Sequence, residues 1–402
     1  MKNKFRMLVA IVTAITFLPC QAQNSSTSPK IENYNKGELE IKVAPFGLDG
    51  NEILVGNILT DGTIQFSWPD IDLANYESSD FFMNHLKKSI GMNFCHDKKM
   101  EENNEEIKAV NTKDLLLYKY GQYVGFLQPS TRKEFSDSDT LETGSSFSWY
   151  YSNGDGKFKA VCTVYEEKGG PNDVYEIDKN NVLNTTIYEI DFKKGWNLVE
   201  KSLLELKDQK RGEELITTKF KESKATIDQI PNNINWHLKY WANDELLEKE
   251  HQLISQTPIA KSQYENWLPK SLGDFKRTAY EIGKELERMP STDNINIVFE
   301  KDLQKIEVTI VDCAGNKEAA SMYTLMADMA SSEWKEDSET GYQSATKMDG
   351  KPVMIDYNKK ENRTTLSYSA NERLLIKAEA DNIAPKKLWE YLKELDLEKL
   401  TD

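Results

Sequence analysis

The sequence predicts an α+β protein, with an N-terminal antiparallel β-sandwich-like region and a C-terminal antiparallel sheet covered by two helices. Three observations carry this expectation. Short stretches alternate apolar and polar residues at the period of a half-buried strand. Asp-Gly and Asn-Gly pairs, which tolerate positive φ, punctuate them. Two later stretches repeat apolar residues at helical spacing. The chain has 402 residues, enough for two or three domains at ~150 residues each.

Residues 1–22 read as a secretory signal peptide. Lys2, Lys4 and Arg6 form a basic start, and Met7 to Leu18 is apolar but too short for a ~30 Å hydrocarbon core. Cys20 and Ala22 occupy the −3 and −1 places of a small-x-small cleavage site; the rival reading acylates Cys20 as a lipoprotein anchor. No later stretch of the mature chain is apolar enough to span a membrane. Residues 23–36, polar and rich in Ser and Asn, read as a flexible leader. Export to an oxidising compartment pairs Cys95 with Cys162 and leaves Cys313 as a buried, inert thiol.

Residues 37–208 read as the β-rich, sandwich-like domain. Leu39, Ile41 and Val43 alternate, as do Ile64, Phe66 and Trp68 after the Asp61-Gly62 turn. A helix is expected from Ser79, with Phe82, Leu86 and Ile90 on one face, followed by a charged excursion over 97–113. Strands return at Leu115–Tyr120 and Tyr123–Leu127. A hairpin is expected between Phe147–Tyr151 and Phe158–Tyr165, across Asn153-Gly154-Asp155-Gly156. Ile187–Phe192 and Asn197–Leu206 flank a turn at Lys193-Lys194-Gly195.

Residues 209–262 read as a connecting region, with a helix starting at Asn243 and a boundary at Ser255–Pro258. Residues 263–402 read as an α+β sandwich of order βββαββββα. Its helices are one capped by Asn316, with Ala319, Met322, Tyr323, Met326 and Ala330 on one face, and one entered at Pro385.

Gly37-Glu38-Leu39-Glu40-Ile41, Thr60-Asp61-Gly62-Thr63-Ile64-Gln65-Phe66 and Lys193-Lys194-Gly195-Trp196-Asn197 resemble immunoglobulin- or transthyretin-like modules of exported Gram-negative envelope proteins. That resemblance implies adhesion or scaffolding. The C-terminal element order resembles PsbP-like α/β sandwiches, which implies a fold and no particular activity.

Charge narrows the function further. Lys plus Arg number 51 and Asp plus Glu 66, a net −15, which deepens to −18 once the three basic residues of the signal segment are lost. Such a chain is a poor ligand for nucleic acid, which is held chiefly by basic residues that displace counterions. No His-Glu-x-x-His, nucleophile elbow or phosphate loop is present. Cys95-His96-Asp97 with His85 is the densest metal-like constellation, but the expected disulfide removes its thiolate, so no metal and no cofactor are expected. Asn153-Gly154-Asp155-Gly156 lacks the acids of a calcium loop. Glu333, Glu336, Asp337 and Glu339 form the densest acidic run.

The leading expectation is therefore a non-enzymatic, exported envelope or periplasmic binding protein whose partner is an envelope protein or glycan. Trp236, Tyr240, Trp241 and Trp267 are its candidate ligand or partner residues, because indole and phenol rings stack on sugars and anchor interfaces. Two alternatives stand beside it. One is a carboxylate-dependent hydrolase of envelope glycan or peptide. The other is a carrier of a small hydrophobic ligand held beneath the Met-rich helix of residues 316–331.

Overall fold

The computed structural model describes residues 28–47, 51–76, 82–92, 95–103, 106–133, 141–169, 175–211, 214–284 and 293–401. The expected signal segment, with Cys20, lies outside the described residues. Strand makes up 53% of the structure and helix 16%, so the fold is largely β and the balanced α+β expectation is wrong. Two compact units divide between Trp241 and Ala242. The expected connecting region 209–262 is thus split, its strands in the first unit and its helix in the second.

The first unit contains β1 (Leu39–Val43), β2 (Ile53–Ile58), β3 (Ile64–Phe66), β4 (Asn84–His85), β5 (Asp97–Asn103), β6 (Lys108–Asn111) and β7 (Leu115–Lys119). It continues with β8 (Gln122–Ser130), β9 (Gly144–Ser152), β10 (Gly156–Gly169), β11 (Tyr175–Phe192), β12 (Gly195–Arg211), β13 (Glu214–Ile227) and β14 (Asn235–Tyr240). These strands form one hydrogen-bonded sheet, β3-β2-β1-β7-β8-β9-β12-β13-β11-β10-β5, with β14 on β8, β6 on β9 and β4 on β6. A single sheet replaces the expected antiparallel sandwich, and β13 runs parallel to β11.

Several local expectations change for physical reasons. β9 and β10 do not pair as a hairpin, because both edges of β9 are taken, one by β12 and the other by β6 and β8. The start of the helix expected from Ser79 lies outside the described residues; Phe82 is helical, β4 then interrupts, and the single turn α1 (Leu86–Ser89) follows. Its apolar positions are still used: Leu86 and Ile90 are buried among Tyr150, Phe158, Tyr188 and Phe192. The charged stretch 97–113 holds two strands, β5 and β6. The leader is anchored where it is described: Ile31 is buried, its N–H donates to the Gly62 carbonyl at 3.0 Å, and Ile64 N–H donates to the Pro29 carbonyl at 2.7 Å. Cys95 and Cys162 are joined in a disulfide, with Cα atoms 5.3 Å apart.

The second unit contains α2 (Asp244–Ser255), α3 (Lys261–Trp267), β15 (Ser271–Leu272), β16 (Phe275–Ile282), β17 (Asn294–Lys301), β18 (Gln304–Asp312) and α4 (Lys317–Ser331). Then come β19 (Trp334–Asp337), β20 (Gly341–Met348), β21 (Lys351–Asn358), β22 (Arg363–Ala370), β23 (Leu374–Asp381), α5 (Pro385–Leu392) and α6 (Glu398–Thr401). The sheet order is β15-β16-β17-β18-β23-β22-β21-β20-β19, with every pair antiparallel. Five helices accompany it among the described residues: α2, α4 and α5 are those expected at Asn243, Asn316 and Pro385, and α3 and α6 are additional. Asn243 and Asn316 cap α2 and α4, each side chain accepting from backbone N–H groups of the first turn.

Strand alternation divides the core of this unit. Ile306, Val308 and Ile310 face α5, with Leu388, Trp389 and Leu392. Val311, Cys313 and Leu375 face α4 and Leu253 of α2. At the end of β18, Asp312 is completely buried. Its carboxylate accepts from Arg373 Nε at 2.9 Å and Nη2 at 2.6 Å, from Ile259 N–H at 2.7 Å and from Ala314 N–H at 3.2 Å. One side chain thereby joins the end of β18, the β22–β23 turn and the α2–α3 connection. Burial, then the Asp312 charge, pushes the Cys313 thiol up to about 12, so Cys313 is the inert thiol expected.

Two stability tests follow. The disulfide closes a loop of 67 residues in sequence, for which chain entropy gives about 4 kcal/mol. Replacing both Cys95 and Cys162 by Ser is expected to lower the urea midpoint of the tryptophan-rich first unit; an unchanged midpoint would count against this role. Arg373→Met strands the Asp312 charge, at an expected cost of about 3–5 kcal/mol. Hydrogen exchange of β18 and β23 amides measures it, and protection equal to wild type would refute it.

Candidate functional site

Strand alternation builds an aromatic surface feature of the first unit. In β9, Trp149 and Tyr151 share one face and Tyr150 takes the other. β12 pairs with Leu198 opposite Trp149 and Trp196 opposite Tyr151. Phe66 at the end of β3 and Trp68 just beyond it lie against this face, as does Trp236 of β14. The result is a continuous aromatic stripe. Ring centroids are 5.2 Å apart for Trp68–Trp149, 4.8 Å for Trp68–Trp196 and 5.3 Å for Tyr151–Trp196. Phe66 lies 5.7 Å from Trp68, 5.6 Å from Trp149 and 5.7 Å from Trp236.

Trp149 and Tyr151 are buried, whereas Phe66, Trp68, Trp196 and Trp236 are half-buried and reach solvent. The rings are held by more than packing. Trp196 Nε1 donates to the Pro69 carbonyl at 2.7 Å, and the Tyr151 hydroxyl donates to the Ile71 carbonyl at 2.9 Å. Burial, then the nearby Asp70 charge, raises the Tyr151 hydroxyl above its ordinary range. The hydroxyl therefore stays a neutral donor.

The four aromatic residues proposed from the sequence do not converge. Trp236 joins the stripe. Tyr240 lies four residues further along β14, about 13 Å away at strand rise, with the Lys36 ammonium 4.7 Å from its ring centroid. Gly125 sits opposite it, where a Cβ would stand 2.1 Å from the Lys239 carbonyl. That missing side chain lets β14 close onto β8. Trp241, 51% exposed, makes an edge contact with Tyr123 at 5.0 Å. Trp267 belongs to the second unit, packs against its core, and donates from Nε1 to the Asp396 carbonyl at 2.7 Å.

The other candidates take structural roles. Cys95 is spent in the disulfide, and His96 Nδ1 accepts from Tyr165 N–H at 2.8 Å. Glu336 and Asp337 of the acidic run lie on the exposed edge strand β19. The α4 face proposed to line a ligand cavity is filled by Leu253, Val311, Cys313 and Leu375.

A cleft of about 380 Å³ opens in the second unit beside Asp349, Tyr368, Trp389, Lys393 and Asp396. Asp349 accepts from Lys393 and from Trp389 Nε1, both at 2.9 Å, and both bonds pull its carboxyl below the usual range. Asp396 is lowered in the same way by Lys399. A glycosidase acid needs the opposite shift, so these two carboxylates are unsuited to donating a proton.

The opposite face of β12 carries Lys201. It pairs in register with Lys224 of β13, placing two like charges side by side on a face that continues into the buried core. Burial, then the Lys224 charge, lowers the Lys201 ammonium to about 8. Burial also lowers Lys224, whose Nζ donates to the Ile90 carbonyl at the end of α1 at 2.8 Å.

No protein-family model matches the chain, and neither a curated protein nor a solved structure matches it.

The Lys201 shift makes stability pH-dependent. Below pH 8 the folded state carries a charge it holds poorly, and the penalty is full. Between pH 8 and 10.5 the folded amine is neutral while the unfolded one is still charged, so the penalty fades. Lys201→Met is therefore expected to stabilise the protein at pH 7, on the order of 2 kcal/mol, with the gain vanishing by pH 10.5. Paired melting curves across that range check it, and a gain that grows with pH would contradict it.

Proposed function

We propose that this chain is a non-enzymatic, exported envelope protein that binds a neutral glycan along the aromatic stripe. The observation that carries this reading is the run of half-exposed rings from Trp196 through Trp68 and Phe66 to Trp236, seated on the buried Trp149. Indole faces stack on sugar rings, and rigid aromatic anchors lose little conformational entropy on binding. Asp70, whose charge reaches Tyr151, supplies carboxylate oxygens that accept from sugar hydroxyls. The strongly acidic chain disfavours polyanionic partners, which selects uncharged polymers. Export is supported by the basic–apolar–small-residue pattern of the first 22 residues and by the disulfide, which persists in oxidising compartments. The modules that the N-terminal segments resemble are likewise exported.

Tryptophan fluorescence titration with short, uncharged β-linked glucan and mannan oligosaccharides tests the reading. Trp68→Ala and Trp236→Ala are each expected to weaken binding about tenfold, the equivalent of ~1.4 kcal/mol per lost anchor. Trp241→Ala is expected to leave it unchanged. If no neutral oligosaccharide binds, while an envelope protein is captured by wild type and lost with Trp68→Ala, the stripe is a protein interface and the glycan reading fails.

A further inference from the structure

We propose that Lys201 is a carbon dioxide-binding site, at which the side-chain amine takes up CO2 as a carbamate held by the ammonium of Lys224. The site lies on the face of β12 opposite the aromatic stripe and does not depend on the glycan reading.

The geometry begins with the sheet. Residues directly opposite across an antiparallel pair place their Cβ atoms about 5 Å apart on one face. Lys201 and Lys224 are such a pair. Along β12 the same face presents Val199 and Leu203 on either side of Lys201, both buried. The Lys201 ammonium stands 5.8 Å from the Tyr150 ring centroid. Among the described residues it makes no ion pair. The charged groups that face it are Lys224 and Lys219, with Asp114 and Glu222 further contributing. Glu222 is engaged by Lys219 at 3.4 Å.

Both ammonium groups lie near a ring, Lys224 at 5.4 Å from the Tyr188 centroid, but Lys224 is also tied to the Ile90 carbonyl. Lys224 is thus the member of the pair held as a cation, and Lys201 is the member free to lose its proton. An amine desolvated beside a fixed cation is the arrangement that creates a nucleophilic lysine.

The chemistry balances with CO2 alone. The lone pair of the neutral Nζ attacks the carbon, an N–C bond forms, and one C=O π pair moves onto oxygen. The nitrogen then releases one proton to solvent. The product carries a negative charge where a positive one stood, so a repulsive Lys–Lys pair becomes an attractive carbamate–ammonium pair. An imine formed with an aldehyde is neutral or cationic and gains nothing from Lys224. The charge pattern therefore selects CO2 over carbonyl compounds.

Carbon-13 NMR of the full mature chain in 13C-bicarbonate at pH 8 tests the proposal. A carbamate resonance is expected in wild type and in Lys224→Arg. It is expected to vanish in Lys201→Met, and in Lys201→Arg, which keeps the charge but resists carbamate formation. It is expected to fall about tenfold in Lys224→Met. Absence of the resonance in wild type, or its persistence in both Lys201 variants, overturns the site. Full intensity in Lys224→Met overturns the role given to that cation.

Discussion

The register of β9 against β12 is the constraint on which the first unit depends. Nine successive pairs run unbroken from Gly195 opposite Ser152 to Leu203 opposite Gly144. That single alignment sends Trp149, Tyr151 and Trp196 to one face and Tyr150, Val199 and Lys201 to the other. A slip of one residue would exchange the two sets. It would drive Trp196 toward the interior and expose Val199. Burial of Tyr150 and Val199 among Phe158, Ile190 and Phe192 holds the register, and the exposed aromatic rings are arranged as its consequence.

The two units manage buried charge in contrasting ways. Asp312 is fully enclosed, yet four donors surround its carboxylate, two of them from the fork of Arg373. The cost of leaving water is offset by bonds that also tie three segments together. Lys201 is less enclosed and poorly matched: its nearest counterpart across the strand is another lysine. A purely structural site rarely keeps such a pair, because the apolar stem of a methionine would fill the same space without the charge. The first arrangement is a fastening, and the second stores an unfavourable interaction that a ligand can relieve.

Much of the second unit was legible from sequence, because its strands are half-buried and alternate cleanly. Ile306, Val308 and Ile310 show the pattern, as does the Asp349-Gly350 turn, where both residues have positive φ. The first unit was harder for the converse reason. Parts of β12 and β13, such as Lys221 to Lys224, carry polar residues on both faces, so the period-two signal disappears and the stretch reads as a connection. Trp236 stood out through its neighbours Tyr240 and Trp241, yet a strand spreads neighbours along its length and across its faces. Its true companions, Phe66 and Trp68, Trp149, and Trp196, come from three distant places and meet only through the strand order. Phe66-x-Trp68 and Trp149-x-Tyr151 do show aromatic residues two apart, which marks each strand's aromatic face without revealing that those faces adjoin. Lys201 was invisible for the same reason, since its partner lies 23 positions away across the β12–β13 turn.

The position of β13 also bears on how the chain reaches this state. It follows β11 and β12 in sequence but lies between them, parallel to one and antiparallel to the other. Neighbours in the chain usually pair, and a hairpin of β11 and β12, joined by Lys193-Lys194, would close in about 1–10 μs. The native order excludes that pairing: β13 pairs with β12 from Arg211 opposite Glu214 onward and takes the edge that β11 would occupy. A β11–β12 ribbon is therefore a non-native pairing, which the chain must avoid or undo before the sheet is complete.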